Sequence, residues 1–142
     1  MPALIWKGES SSYYRLRWLS VRNWRVAEGL MKLLAVAAGG GVGSLVRYLI
    51  GTAITQRFGG RFPLGTFAIN VTGSFLIGLL MTLLTERYAP NPNWRLLLVV
   101  GFLGGYTTFS SFEYETFQTA RNGGHWLALG YVAGSVALGY LG

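Results

Sequence analysis

Residues 101–112 read GFLGGYTTFSSF, which places two adjacent glycines and four Thr or Ser hydroxyls inside an apolar stretch running from Arg95 to Thr119. Adjacent glycines weaken a helix, and Thr and Ser hydroxyls can hydrogen-bond the backbone groups that an interrupted helix frees. Within a bilayer, such an interruption is tolerated only where it is buried in protein or lines a cavity. The stretch therefore predicts a transmembrane helix broken at the membrane centre. Freed carbonyls at a break can face a cation, and freed N–H groups or hydroxyls can face an anion.

Four apolar stretches are long enough to cross a hydrocarbon core of about 30 Å, which requires about 20 helical residues. They cover residues 33–55, 64–85, 95–119 and 126–142, and turn formers and charges fill the connectors. Only 12% of the residues are charged, about half the fraction usual in a soluble domain. We predict an all-α membrane protein in which residues 31–142 form one domain of four transmembrane helices.

The polar composition argues against an enzyme. The chain contains no cysteine, one histidine and five acidic residues, all of them glutamate and widely scattered. Disulfides and thiol chemistry are therefore excluded, and a zinc site or a hydrolytic carboxylate pair has too few candidate ligands.

The first thirty residues differ from the rest because basic residues alternate there with tryptophan and tyrosine. Such a mixture can bind anionic lipid or nucleic acid. Met31-Lys32 stands directly before the first apolar stretch and resembles a natural start. We therefore interpret residues 1–30 as a disordered extension or as the product of a misplaced start, and we expect no nucleic-acid partner.

The basic residues outside the spans are evenly divided between the two sides of the membrane. Counted from Met31, three fall on each side: Lys32, Arg87 and Arg95 on one, and Arg57, Arg61 and Arg121 on the other. Because Lys and Arg bias sets orientation, this balance predicts insertion in both orientations.

Polar residues within predicted spans are costly in lipid and are candidate functional residues. Asn70 lies about six residues into the second span, where an interhelical hydrogen bond is the structural alternative. Arg47 lies about fourteen residues into the first span, where its long side chain could instead reach the far interface. Tyr131 and Ser135 share one face of the fourth span at a four-residue spacing.

These motifs resemble those of the CrcB/Fluc family of fluoride channels. The run from Gly101 to Phe112 is similar to the family signature G-x-x-G-G-x-T-T-F-S-T-F, with Ser111 in place of the more usual threonine. The segment Leu64-Gly65-Thr66 through Asn70 resembles the second-span motif, and Gly41-x-Gly43-x-x-x-Arg47-Tyr48 resembles the first-span motif. The resemblance covers the chain from about residue 31 onward.

The resemblance implies an antiparallel, dual-topology homodimer in a bacterial inner membrane, with two fluoride pores built from both subunits. It implies that the backbone carbonyls of Gly104 and Thr107 hold a structural sodium ion on the two-fold axis. It also implies an anion route lined by amide, hydroxyl, aromatic and basic side chains. The expected pore residues, which include two hydroxyl donors of the broken span, are Arg47, Asn70, Thr108, Phe109, Ser111, Phe112, Tyr131 and Ser135.

Fluoride holds its water tightly, so a pore must supply replacement hydrogen-bond donors along the route. Asn70, the hydroxyls and the positive edges of phenylalanine rings can do this without a titratable group. Passive export of fluoride is therefore the predicted function. The alternative is a small dual-topology, proton-coupled multidrug exporter, which needs a carboxylate in an early span, and the sequence has none between Lys32 and Thr85.

Overall fold

The computed structural model describes the backbone of residues 10–84 and 91–141, and the side chains of these residues from Trp24 onward. Residues 1–9 of the N-terminal segment, most of the predicted connector at 86–93 and the chain end at Gly142 lie outside the described residues. All regular structure in the described ranges is helical.

The helices follow one another along the chain with short connections. They are α1 (Ser10–Phe58), α2 (Leu64–Thr82), α3 (Pro92–Arg95), a π-helical stretch (Leu96–Leu103), α4 (Gly104–Tyr106), α5 (Phe109–Arg121) and α6 (His125–Leu141). The segment 92–106 is continuous helix that passes from α to π geometry and back, and π-helical turns are frequent at functional sites.

Local sequence accounts for several helix ends. The Asn91 side chain accepts a hydrogen bond from the Asn93 N–H at 3.0 Å, and Pro92 occupies the first helical position of α3. Gly123 has φ = 85° in the turn between α5 and α6, a conformation that glycine adopts without steric cost.

Three helical segments of the described chain are long and apolar enough to cross a membrane: Trp24–Phe58, Leu64–Thr82 and Pro92–Arg121. The last of these includes the break between α4 and α5. Helix α6 is 17 residues long, at the lower end of the length that spans a bilayer. The prediction of an all-helical membrane protein is confirmed, and α1 begins well before the predicted start of the first span at Leu33.

Helix α1 packs against segment 92–106 through glycines on both sides. A Cβ added at Gly39 or Gly43 would overlap the backbone carbonyl of Leu97 or Phe102. On the facing segment, a Cβ at Gly105 would overlap the backbone of Gly40. Glycine at these positions therefore allows close contact between the two helices.

The buried interior of one chain is small, and much of its surface is apolar. Ile69, Leu103 and Tyr106 form the core cluster, whereas large side chains such as Leu45 and Phe75 are exposed. Such an apolar exterior suits a lipid environment or contact with a second copy, not water.

Candidate functional site

The third span is interrupted at Thr107 and Thr108. Both residues have extended backbone, with φ/ψ of −81°/157° and −150°/120°, and helix resumes at Phe109. The adjacent glycines Gly104 and Gly105 are themselves helical, so the interruption lies two residues beyond the weak point that they suggest. The Thr108 hydroxyl caps α5 by accepting the Ser111 N–H at 3.3 Å.

Asn70 of α2 holds the interrupted backbone from the side. Its Nδ2 donates to the Thr108 carbonyl at 2.9 Å, and its Oδ1 accepts the Thr108 N–H at 2.9 Å. One side chain therefore satisfies both backbone groups of a residue that has left the helix. The interhelical hydrogen bond considered as the structural alternative is present, and the second N–H of the amide remains for another acceptor.

Arg47 of α1 holds the other side of the interruption. Its Nε donates to the Gly105 carbonyl at 3.0 Å, and Ser44, one turn earlier on α1, approaches the same oxygen at 3.5 Å. Because α4 ends at Tyr106, Gly105 has one of the carbonyls that a helix end leaves unpaired. The guanidinium thus places a positive charge where the partial negative charge of the helix terminus accumulates.

Two further carbonyls at the break are the ones predicted to hold sodium. Within the described part of the chain, no hydrogen bond reaches the carbonyl oxygen of Gly104 or of Thr107. The Thr108 N–H, which would reach Gly104 in a continuous helix, is engaged by Asn70 instead. Uncharged oxygen donors of this kind suit a hard cation.

A cavity of about 560 Å³ opens beside the break and contains most of the predicted site. The predicted residues that line it are Asn70, Gly104, Thr107, Thr108, Phe109, Phe112 and Ser135. The rings of Phe109 and Phe112 lie 5.7 Å apart between centroids, and Phe109 is 70% exposed on the single chain.

Ser135 is the unsatisfied polar group of this cavity. Among the described residues, its hydroxyl oxygen is the buried side-chain polar atom that lacks a hydrogen-bond partner. A buried donor without a partner is unfavourable unless something else, such as a ligand or water, accepts from it.

Tyr131 is buried and bonded within the protein. Its hydroxyl donates to Glu115 Oε2 at 3.0 Å, while Thr66 donates to Oε1 of the same carboxylate at 2.8 Å. The Tyr131 ring also contacts Phe112, with centroids 5.0 Å apart. Glu115, to which the sequence assigned no role, therefore links α2, α5 and α6 and holds the tyrosine behind the phenylalanine.

A second cavity, of about 420 Å³, lies on the α1 side of the break. Its lining includes Arg47, Thr66, Thr108, Ser111 and Glu115, so it is markedly more polar than the first. Thr108 lines both cavities, and Asn70, which lines the first, holds Thr108 in place.

The structure brings the sequence-predicted residues together around one point, the Thr107–Thr108 break, with Tyr131 directly behind Phe112. Sequence reasoning missed Ser44 and left Glu115 without a role. The signal for Glu115 was its position, since a carboxylate within an apolar span needs polar partners.

Known proteins resemble this chain over most of its length. The family model for "CrcB-like protein, Camphor Resistance (CrcB)" matches residues 34–142. A protein of Solibacter usitatus called "Fluoride-specific ion channel FluC" is 67% identical over 110 residues, covering 78% of this chain and 90% of the relative. Proteins of the same name from Acidobacterium capsulatum and Aquifex aeolicus are 54% and 42% identical, covering 78% and 75% of this chain and 89% and 86% of the relatives.

The family match includes segment 92–106, the break, α5 and the residues that surround the break. It begins at residue 34, just before α1 first contacts segment 92–106. The chain therefore belongs to the CrcB family.

Proposed function

We propose that this chain forms a fluoride-selective channel that exports fluoride passively across a bacterial inner membrane. The observation that carries the proposal is the interrupted third span, whose Thr108 backbone is held by Asn70 beside a cavity with free hydrogen-bond donors. The relatives at up to 67% identity bear the name of a fluoride-specific ion channel, not of an enzyme.

The cavity offers donors that can replace the water around a small anion. Asn70 has one amide N–H beyond the one that it donates to Thr108, and the buried Ser135 hydroxyl has no partner among the described residues. The rings of Phe109 and Phe112 add positive edges. Fluoride accepts stronger hydrogen bonds than the larger chloride ion and fits closer to such donors, so this lining favours fluoride.

In this arrangement the main role of Tyr131 is to support the wall of the anion route, not to donate a hydrogen bond to the anion. Its hydroxyl is held by Glu115, and its ring supports Phe112. The anion route then runs past Phe112 and Ser135, with Thr108 and Ser111 leading toward the cavity that contains Arg47.

The functional unit in this proposal is an antiparallel homodimer with four spans in each subunit and two pores. Phe109 and the cavity beside it are open on the single chain, and large apolar side chains surround them. A second copy would cover this face and complete the pore walls. Within the domain that begins at Met31, the basic residues divide evenly across the membrane, which supports assembly of chains inserted in opposite orientations.

The break is also suited to a structural sodium ion at the two-fold axis. The Gly104 and Thr107 carbonyls have no hydrogen-bond partner in the described chain, and two such carbonyls from each subunit would supply four oxygen ligands. The ion would supply positive charge, which offsets the cost of bringing an anion into a medium of low dielectric.

Efflux from liposomes tests the proposed function. Vesicles loaded with fluoride and containing the protein should release fluoride rapidly, as read with a fluoride electrode, while vesicles loaded with chloride should retain it. Equal release of both ions, or no release of either, would refute the proposal.

A hydroxyl deletion tests the proposed route. Ser135→Ala should slow fluoride release with little loss of stability, because the hydroxyl has no partner in the described chain to lose. Thr82→Val, which removes a hydroxyl bonded to its own helix on the exposed end of α2, is the matched control and should release fluoride normally.

Orientation is tested separately by reporters fused to the C-terminus, which should be active on both sides of the membrane.

A further inference from the structure

The N-terminal part of α1 is not accounted for by the channel. Helix α1 has 49 residues and so is about 73 Å long at 1.5 Å per residue, against a hydrocarbon core of about 30 Å. Its close contacts with the rest of the chain begin near Val36 and Gly39, and the family match begins at residue 34. The helix therefore continues for more than twenty residues beyond the part that the channel uses.

Several of the described side chains of this extension are apolar and exposed. Trp24, Val26 and Leu30 are 54%, 66% and 55% exposed, and nothing in the described chain covers them. Leaving these groups in water forgoes the free energy that burial would provide. The extension thus has an apolar surface in need of a partner.

The extension is also strongly basic. Residues 1–32 contain six basic and two acidic residues, and they supply +4 of the chain's net charge of +7. One of the acids, Glu28, is already paired with Lys32 at 2.6 Å. The partner must therefore present negative charge together with apolar groups.

Helical register places these two properties side by side. Sequence positions 15, 22, 25 and 32, all basic, recur at spacings of seven, three and seven and form one stripe at 100° per residue. Positions 19, 26 and 30, which are Leu, Val and Leu, form an adjacent apolar stripe. A helix with an apolar stripe bordered by basic residues is typical of binding at a lipid interface.

We propose that residues 10–32 bind the anionic phospholipid headgroups of the bilayer that surrounds the channel. The helix is continuous with a candidate membrane span, so the extension is tethered close to the bilayer. Phospholipid supplies phosphate for the basic stripe and acyl chain for the apolar one, whereas a nucleic acid would satisfy only the first. Docking along the surface requires α1 to bend, and Gly29 is the weakest helix former between Trp24 and Lys32.

The experiment uses the full chain, which has no cysteine and so accepts a single thiol label. Ser20→Cys carries an environment-sensitive fluorophore in the extension, and Asn122→Cys carries the same fluorophore in the α5–α6 turn as a control. Each protein is placed in nanodiscs of phosphatidylcholine alone or of phosphatidylcholine with phosphatidylglycerol. The extension label should shift to the blue and lose its quenching by iodide only with phosphatidylglycerol, reversibly with added salt, while the control label should not change.

A charge series isolates the cause. Replacing Arg15, Arg22 and Arg25 of the basic stripe by Gln should lower the docking equilibrium by about two orders of magnitude, and replacing them by Lys should preserve it. Monodisperse elution of both variants shows that the chain is folded. The same signal in both kinds of nanodisc, or an unchanged response of the Gln variant, would overturn the proposal. A response to an RNA oligonucleotide but not to phosphatidylglycerol would overturn it in favour of a nucleic-acid partner.

Discussion

Replacing Asn70 with alanine should weaken the fold and the fluoride flux together. The change removes two hydrogen bonds of 2.9 Å and leaves both the N–H and the carbonyl of Thr108 without their partner. Each lost bond costs about 1 kcal/mol, and each stranded backbone group adds up to about 2 kcal/mol if water does not reach it. The cavity beside Thr108 gives water some access, so we expect a loss of about 2–4 kcal/mol in the free energy of unfolding.

The consequence for flux follows from the freed groups. The Thr108 N–H can then bond the Gly104 carbonyl and restore a continuous helix, which closes the break that the route requires. A shift of about 2 kcal/mol toward that helix lowers the ratio of the broken to the continuous form about thirtyfold. Fluoride release from liposomes should fall by up to the same factor, and unfolding should be followed in parallel by denaturant titration.

Asn91→Ala is the matched control for this substitution. It also removes an asparagine that accepts a backbone N–H, but at the exposed start of α3, away from both cavities. It should cost about 1 kcal/mol of stability and leave flux unchanged. If Asn70→Ala behaved like Asn91→Ala in both assays, the structural role assigned to Asn70 would be wrong.

Three further substitutions test other parts of the site. Phe112→Ile should suppress fluoride efflux because it removes the aromatic edge in the cavity, whereas Phe75→Ile, at an exposed position of α2, should not. Gly105→Ala should lower stability in a thermal melt, since its Cβ overlaps the backbone of α1, while Gly130→Ala, with open space around it, should be neutral or slightly stabilising. Arg47→Leu should cost about 1.5–3 kcal/mol in denaturant titration by removing a charged donor from the Gly105 carbonyl, and a stability equal to that of the unmodified chain would contradict this.

The sequence predicted the existence of the break better than its location. Paired glycines and clustered hydroxyls are local signals, and they identified the right dozen residues. The position of the extended residues depends instead on Asn70, 38 residues away, and on the fit of Gly105 against α1. Such long-range contacts leave no periodic trace in the sequence, so the glycine pair indicated a weak point in the helix, whereas in the structure Gly105 packs against α1.

The role of Glu115 could not be predicted from the sequence either, because it too depends on long-range contacts. Its partners Thr66 and Tyr131 are 49 and 16 residues away, on two other helices. The family resemblance implied that Tyr131 is a pore residue, and that prediction stays untested. Its observed hydrogen bond gives it a second, supporting function that spacing alone did not indicate.

The break places opposite helix ends next to each other, and this has a consequence for how substitutions should behave. The carbonyl end of α4 carries partial negative charge, which favours a cation, and the N-terminal end of α5 carries partial positive charge, which favours an anion. The two favourable positions are separated only by Thr107 and Thr108. Asn70 and Arg47 hold that arrangement through the backbone, and Asn70 also lines the cavity, whereas Ser135 and Phe112 line the cavity without bonding the break. Changes to the first pair should therefore reduce stability and flux together, and changes to the second pair should reduce flux with little effect on stability. A stability loss at Ser135 as large as that at Asn70 would mean that the cavity residues also hold the break, and the separation of scaffold from anion route argued here would fail.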